Sequence, residues 1–150
     1  MESLFDKNIS QKFIERINQL SPETKAQWGK MTVEQMLWHC QKPFEIASGA
    51  LVPTVNPIIK FLFGKSAKKG MTGPIPVKKN LPTFREAKGN NSAVFDTEKK
   101  KLIEMIENFQ KKGADGLIKK PHPLFGEMSV TEWNALEVKH LDHHLTQFGV

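Results

Sequence analysis

The sequence predicts an all-α protein, a four-helix bundle with one long crossover between its second and third helices. Three observations carry this expectation. Apolar residues recur at three- and four-residue steps in four separate stretches. Each stretch is bracketed by residues that start or stop helices, and β-branched residues are too sparse in between for a convincing sheet. Four such stretches with one long connection suit a bundle better than an α/β sheet.

The first helix is expected from about Asn8 to Leu20, where Phe13, Ile14, Ile17 and Leu20 share one face and Ser21-Pro22 closes the run. The second starts at Thr32, because Thr32-Val33-Glu34-Gln35 has the form of a capping box. It continues through Met36, Leu37 and Cys40 towards Ile46, with Pro43 expected to kink or shorten it. The third is expected to begin at Asp96 as N-cap, to carry Leu102, Ile103, Ile106 and Phe109, and to stop at Gly113. The fourth opens on a second capping box, Ser129-Val130-Thr131-Glu132. It carries Trp133, Leu136, Leu141, Leu145 and Phe148 to a stop at Gly149. Between the second and third, Asn56-Pro57 marks a short helix over Ile58–Phe63, and Lys65 to Ala93 reads as a long crossover. A run of that length without secondary structure is often functional, for example as a lid.

At 150 residues the chain forms one domain, 1–150, able to bury a sizeable core. Its 39% hydrophobic and 25% charged content argue against both disorder and membrane embedding. The densest apolar run, Pro57 to Phe63, falls far short of the ~20 residues that cross a bilayer. Met1-Glu2-Ser3-Leu4-Phe5-Asp6 lacks the basic and apolar regions of a secretory signal. The single cysteine, Cys40, cannot form an intramolecular disulfide, so a cytoplasmic setting is expected, with Cys40 as a small buried hydrophobe.

The net charge of +6 is concentrated between Lys60 and Lys101, where eleven Lys/Arg face three acids. Such a segment attracts acidic partners or keeps an exposed loop hydrated. Only Arg16 and Arg85 are arginines, whereas base readout and bidentate phosphate grips favour guanidinium, so nucleic acid is not the expected partner.

The histidines carry the chemistry. His140 and His144 are four apart on the fourth helix, hence on one face and separated by about 6 Å of rise. Two imidazoles so placed can converge on one ion at ~2.0–2.1 Å each. His39, midway along the second helix, can supply a third ligand, leaving a coordination position for water or substrate. His143 is also a neighbour of His140, but the four-residue step to His144 follows the apolar stripe better, which leaves His143 at the rim. Other metal motifs fit less well. Leu141 stands where H-E-x-x-H needs its glutamate, a di-iron site needs a second E-x-x-H, and one cysteine is too few for a zinc finger. Glu137 shares the histidine face as an imidazole-holding group, proton acceptor or fourth ligand; the alternative is an ordinary solvated helix charge. His122, in the turn before the fourth helix, is expected to fix that loop or to reach the mouth of the site. Trp28, Trp38 and Trp133 read as packing residues rather than a substrate cage.

Three segments together resemble the DUF1569 family, a branch of the DinB/YfiT-like superfamily. They are Trp28-Gly29-Lys30-Met31-Thr32-Val33-Glu34-Gln35-Met36-Leu37-Trp38-His39-Cys40, His122-Pro123-Leu124-Phe125-Gly126-Glu127-Met128-Ser129-Val130-Thr131-Glu132-Trp133, and Lys139-His140-Leu141-Asp142-His143-His144-Leu145-Thr146-Gln147-Phe148-Gly149. The resemblance spans nearly the whole chain. It implies a four-helix bundle with a long second connection, often dimeric, and a three-histidine metal site whose positions here are His39, His140 and His144. The superfamily includes proteins assigned as metal-dependent hydrolases and enzymes that transfer low-molecular-weight thiols to electrophiles.

Two functions follow as expectations. One is a metal-dependent enzyme, a hydrolase or thiol transferase acting on a small molecule. In it a divalent transition metal, zinc or nickel first, activates water or a low-molecular-weight thiol, with Glu137 or His143 moving the proton. The other is a non-catalytic metal- or small-ligand-binding module, in which the ion stabilises the bundle.

Overall fold

The structure is a computed structural model that describes residues 2–150. Its described residues form five α-helices, two short 3₁₀ turns at Arg85–Ala87 and Gly113–Gly116, and no strand beyond an isolated bridge between His122 and Gly126. The helices are α1 (Lys7–Asn18), α2 (Val33–Ala47), α3 (Pro57–Thr72), α4 (Phe95–Lys112) and α5 (Val130–Gln147). No helix among them is long and apolar enough to cross a membrane.

Local chemistry explains most of the boundaries. Asp6 caps α1 by accepting from the backbone N–H of Asn8 at 2.7 Å. Both expected capping boxes are present, Thr32 with Gln35 on α2 and Ser129 with Glu132 on α5. Gly113 takes φ +55 at the end of α4, a conformation that β-carbon-bearing residues resist.

Three expectations need correction. Pro43 does not shorten α2, which runs on to Ala47; Pro43, Phe44, Ile46 and Ala47 are all buried, and their packing outweighs the one backbone hydrogen bond that proline removes. Asp96 is not an N-cap. The N-cap position falls two residues earlier, on Val94, which makes no side-chain cap, and Asp96 and Glu98 lie in the first turn, where acids favour the positive end of the helix dipole. The helix expected over Ile58–Phe63 extends to Thr72, so a fifth helix occupies the first part of the presumed crossover.

Tertiary contacts hold that extension. The ammonium of Lys139 on α5 donates to the carbonyls of Gly70, Gly73 and Ile75 at 2.7, 2.7 and 2.6 Å. Lys68 pairs with Glu132 at 2.7 Å and donates to the Glu127 carbonyl at 2.6 Å. Gly64 is buried against the Leu124 backbone, and a β-carbon there would stand 2.6 Å from the Leu124 carbonyl oxygen, so only glycine fits without a shift. The outward face of α3 is unlike the rest of the surface: Ile58, Ile59, Phe61, Leu62 and Phe63 are 50–86% exposed.

One apolar core is shared by α1, α2, α4 and α5, with Phe13, Ile17, Met36, Leu37, Leu102, Ile106, Leu141 and Leu145 essentially sealed from solvent. α2 packs on α4 and α5, α1 on α4 and α5, and α3 on α5. The α2–α5 contact sets the site, because the histidine-bearing faces of both helices meet there.

Candidate metal centre

His39 comes from α2, His140 and His144 from α5, and the three imidazoles meet in a nearly equilateral triangle. Ring centroids are 4.9 Å apart for His39 and His140, 4.8 Å for His39 and His144, and 4.6 Å for His140 and His144. One nitrogen from each ring lies within 4.8 Å of the other two, a group able to hold a metal ion. The four-residue spacing on α5 produces this, since it stacks the two rings on one face while the adjacent Leu141 and Leu145 pack into the core.

The ring orientations can be derived from their partners. His39 Nδ1 lies 2.8 Å from the Ala87 carbonyl oxygen, which only accepts, so the ring proton sits on Nδ1 and Nε2 carries a lone pair. His144 Nδ1 lies 2.8 Å from Gln147 Oε1. The Gln147 amide is oriented by its other end, whose Nε2 donates to the Trp28 carbonyl at 2.7 Å. Its oxygen is therefore the acceptor, and His144 too keeps Nε2 bare. Gly29 makes room for this strut: its φ is +83, and a β-carbon would stand 2.6 Å from Gln147 Nε2. Such backing of ligand imidazoles fixes tautomer and direction.

The third ring tests whether the group suits a cation. His140 Nε2 faces His39 Nε2 at 3.0 Å, and His140 Nδ1 is buried with no partner. Two ring nitrogens facing at that distance require a proton or a cation between them. Two ligands at ~2.05 Å from one ion, separated by about 3.0 Å, subtend an angle of about 94°, within the range of four- to six-coordinate ions. The residues fit a divalent metal.

Electrostatics agree. Burial lowers the pKa of His39 and brings that of His140 well below the ordinary imidazole value, helped at His140 by the neighbouring His144 and His39. Burial and His39 push His144 down to about 3. All three are neutral at pH 7, as ligands must be.

The other expected site residues fall around this triangle. His143 is outside it, half-buried, with its ring edge-on to His144 at 5.1 Å and to Trp28 at 5.8 Å. Glu137 is not a solvated helix charge: it is completely buried, both carboxyl oxygens lack a partner, and burial raises its pKa well above the usual carboxylate range. It too stands outside the three-histidine group. Cys40 is sealed in the core with its thiol directed at Met36. His122 fixes its loop: Nδ1 accepts from the backbone N–H of Leu124 and Phe125 at 3.1 Å each, and the ring stacks on Phe125. The sequence did not point to Gln147 or Ala87. Gln147 stands three residues after His144 on the same helix and was readable as a partner; Ala87 contributes only its carbonyl, which no side chain announces.

The model of the family described as a protein of unknown function, DUF1569, matches residues 4–149. No curated protein and no solved structure matches the chain.

Proposed function

We propose that this chain, which belongs to the DUF1569 family, is a metal-dependent enzyme holding one divalent transition metal between His39, His140 and His144. The observation that carries this reading is the convergence of three imidazoles, His39 and His144 buried and His140 partly so, two of them with Nδ1 tied back so that Nε2 carries a lone pair. A bound ion supplies Lewis acidity there, lowering the pKa of a water or a low-molecular-weight thiol enough to give a nucleophile at neutral pH. Zinc or nickel suits three imidazoles. The protein's own residues do the remaining work. Ala87 and Gln147 hold two rings in register. His143, touching both His144 and the half-open Trp28 side, is the proposed proton carrier, and Glu137 the buried acid on the same helical face. The helix order, the long passage from α2 to α4 and the division of histidines between α2 and α5 support a DinB/YfiT-like four-helix-bundle scaffold, with α3 added outside it.

The test is the metal content of protein purified without an affinity tag. About one equivalent of zinc or nickel per chain is expected in wild type, and little in His140→Ala. Refusal of every transition metal by the unaltered protein ends this reading. Metal-replete protein given chromogenic esters, and thiols paired with electrophiles, then separates hydrolase from transferase.

A second reading is favoured by the position of the triangle between two core helices: an ion there would staple α2 to α5 with no turnover at all. Removal of metal would lower the melting temperature, yet no substrate class would be converted. We also propose that the chain self-associates through α3, on the strength of its outward Ile58, Ile59, Phe61, Leu62 and Phe63.

A further inference from the structure

The segment after α3 returns to the molecule beside the histidine triangle. Pro76, Val77 and Lys79 from this segment, Trp28 from the loop before α2, and His143 from α5 line a cleft of about 190 Å³. The His143 ring lines this cleft and packs edge-on both to Trp28 and to His144 of the triangle.

The charges around the cleft are unequal in what they have left to offer. Lys139 reaches the lining, but its ammonium is spent on three carbonyls. Asp142 is paired with Arg16 at 2.9 Å. Lys79 forms no salt bridge among the described residues; its ammonium lies 4.1 Å from the centre of the Trp28 ring. The Trp28 indole N–H is likewise without an acceptor. Asn80, directly after Lys79, is the one non-glycine residue among those described with positive φ, at +58, a conformation asparagine tolerates and one that helps set the course of the chain here. The cleft thus combines two apolar residues, an aromatic ring with a lysine ammonium over it that no carboxylate among the described residues pairs, and one lining carboxylate, Asp142, that is already paired with Arg16.

We propose that this cleft binds the carboxylate end of a small, largely apolar substrate, with Lys79, held over the Trp28 ring, as its ion-pair partner and Pro76 and Val77 as the surface on which its body rests. The proposal deepens the enzymatic reading by naming a substrate class, and rests on that reading only for what the far end of the substrate meets. The carboxylate site itself needs no ion. The carboxylate can belong to the thiol or to a molecule lacking one, and in either case Lys79 recognises the same group.

The test uses three isosteric probes on the full chain, mercaptoacetate, mercaptoacetamide and propionate, titrated by calorimetry into chelator-treated and metal-replete protein, with metal content measured alongside. Wild type is expected to bind mercaptoacetate about tenfold or more tighter than the neutral amide, as a charge-assisted contact implies. That preference should shrink to about twofold or less in Lys79→Gln and return in Lys79→Arg, a rescue that loss of packing would not give. Propionate matching mercaptoacetate supports a carboxylate source without a thiol; a clear advantage for mercaptoacetate in replete protein supports the thiol as source. Equal binding of acid and amide, binding of neither, or an undiminished preference in Lys79→Gln overturns the proposal. A carboxylate preference that persists in chelator-treated protein sustains it even where metal content shows the three-histidine reading to have failed.

Discussion

At the scale of single residues, the site depends as much on what holds the imidazoles as on the imidazoles themselves. Gln147 links His144 Nδ1 to the Trp28 carbonyl, so Gln147→Ala should leave helix content intact while weakening metal binding about 10- to 100-fold in a competition titration. An unchanged affinity would show that His144 is directed by packing alone. His122 offers a separate residue-level check, because its Nδ1 accepts two backbone hydrogen bonds and burial lowers its pKa to about 4. Its folded pKa lies below the unfolded value of about 6.5, so the unfolded chain takes up the proton first. The stability this group contributes is complete above about pH 6.5 and is lost as the pH falls towards 4. Between pH 7 and 5 it amounts to about 2 kcal/mol, by which the pH dependence of unfolding in urea should be reduced in His122→Asn. The sequence showed the histidines because side-chain identity and a four-residue step are written in it. The burial of Glu137 was not legible, since a helical glutamate is normally solvated and only the packing of α5 against the core reveals that this one is not.

At the scale of elements, local signals were reliable where they were local. Both capping boxes and the Gly113 stop lie where the residues place them, because each is satisfied within one turn of chain. The misjudged boundaries were those decided at a distance. Pro43 is tolerated because the residues around and after it are buried, and α3 runs to Thr72 because lysines on two helices fasten it. No periodicity in the α3 segment could show this, since its apolar residues face outward and its docking relies on a glycine and two ammonium groups. Gly64 is the sensitive point. Gly64→Val drives a side chain into the Leu124 carbonyl, and overpacking of this kind costs about 1–3 kcal/mol. With α3 loosened to that extent, trypsin should cut at Lys60, Lys65 or Lys69 about tenfold faster than in wild type, while the core helices keep their circular dichroism. Equal cleavage rates would mean that α3 is fastened mainly by Lys139 and Lys68.

At the scale of the whole molecule, the apolar face of α3 and the histidine triangle make separable demands. If α3 is covered by a second copy, Phe61→Ser with Leu62→Ser should convert a dimer to a monomer in sedimentation experiments without altering metal content, because neither residue takes part in the site. The triangle couples instead to global stability. An ion that binds the folded chain and not the unfolded one stabilises it by about 2.7 kcal/mol at a hundred times its dissociation constant. For a domain of this size that corresponds to about 5–10 °C in melting temperature. Zinc or nickel should therefore raise the melting temperature of chelated wild type by that amount and leave His140→Ala unmoved. The rise should persist below about pH 6.5, because burial keeps the three folded imidazoles below their ordinary pKa and protonation of the unfolded chain lowers the melting temperature with and without the ion alike. A rise of equal size in wild type and His140→Ala would place the ion elsewhere on the surface. Three nitrogens drawn from two core helices would then be an internal hydrogen-bonded cluster, with the 3.0 Å contact between His39 and His140 held by a shared proton.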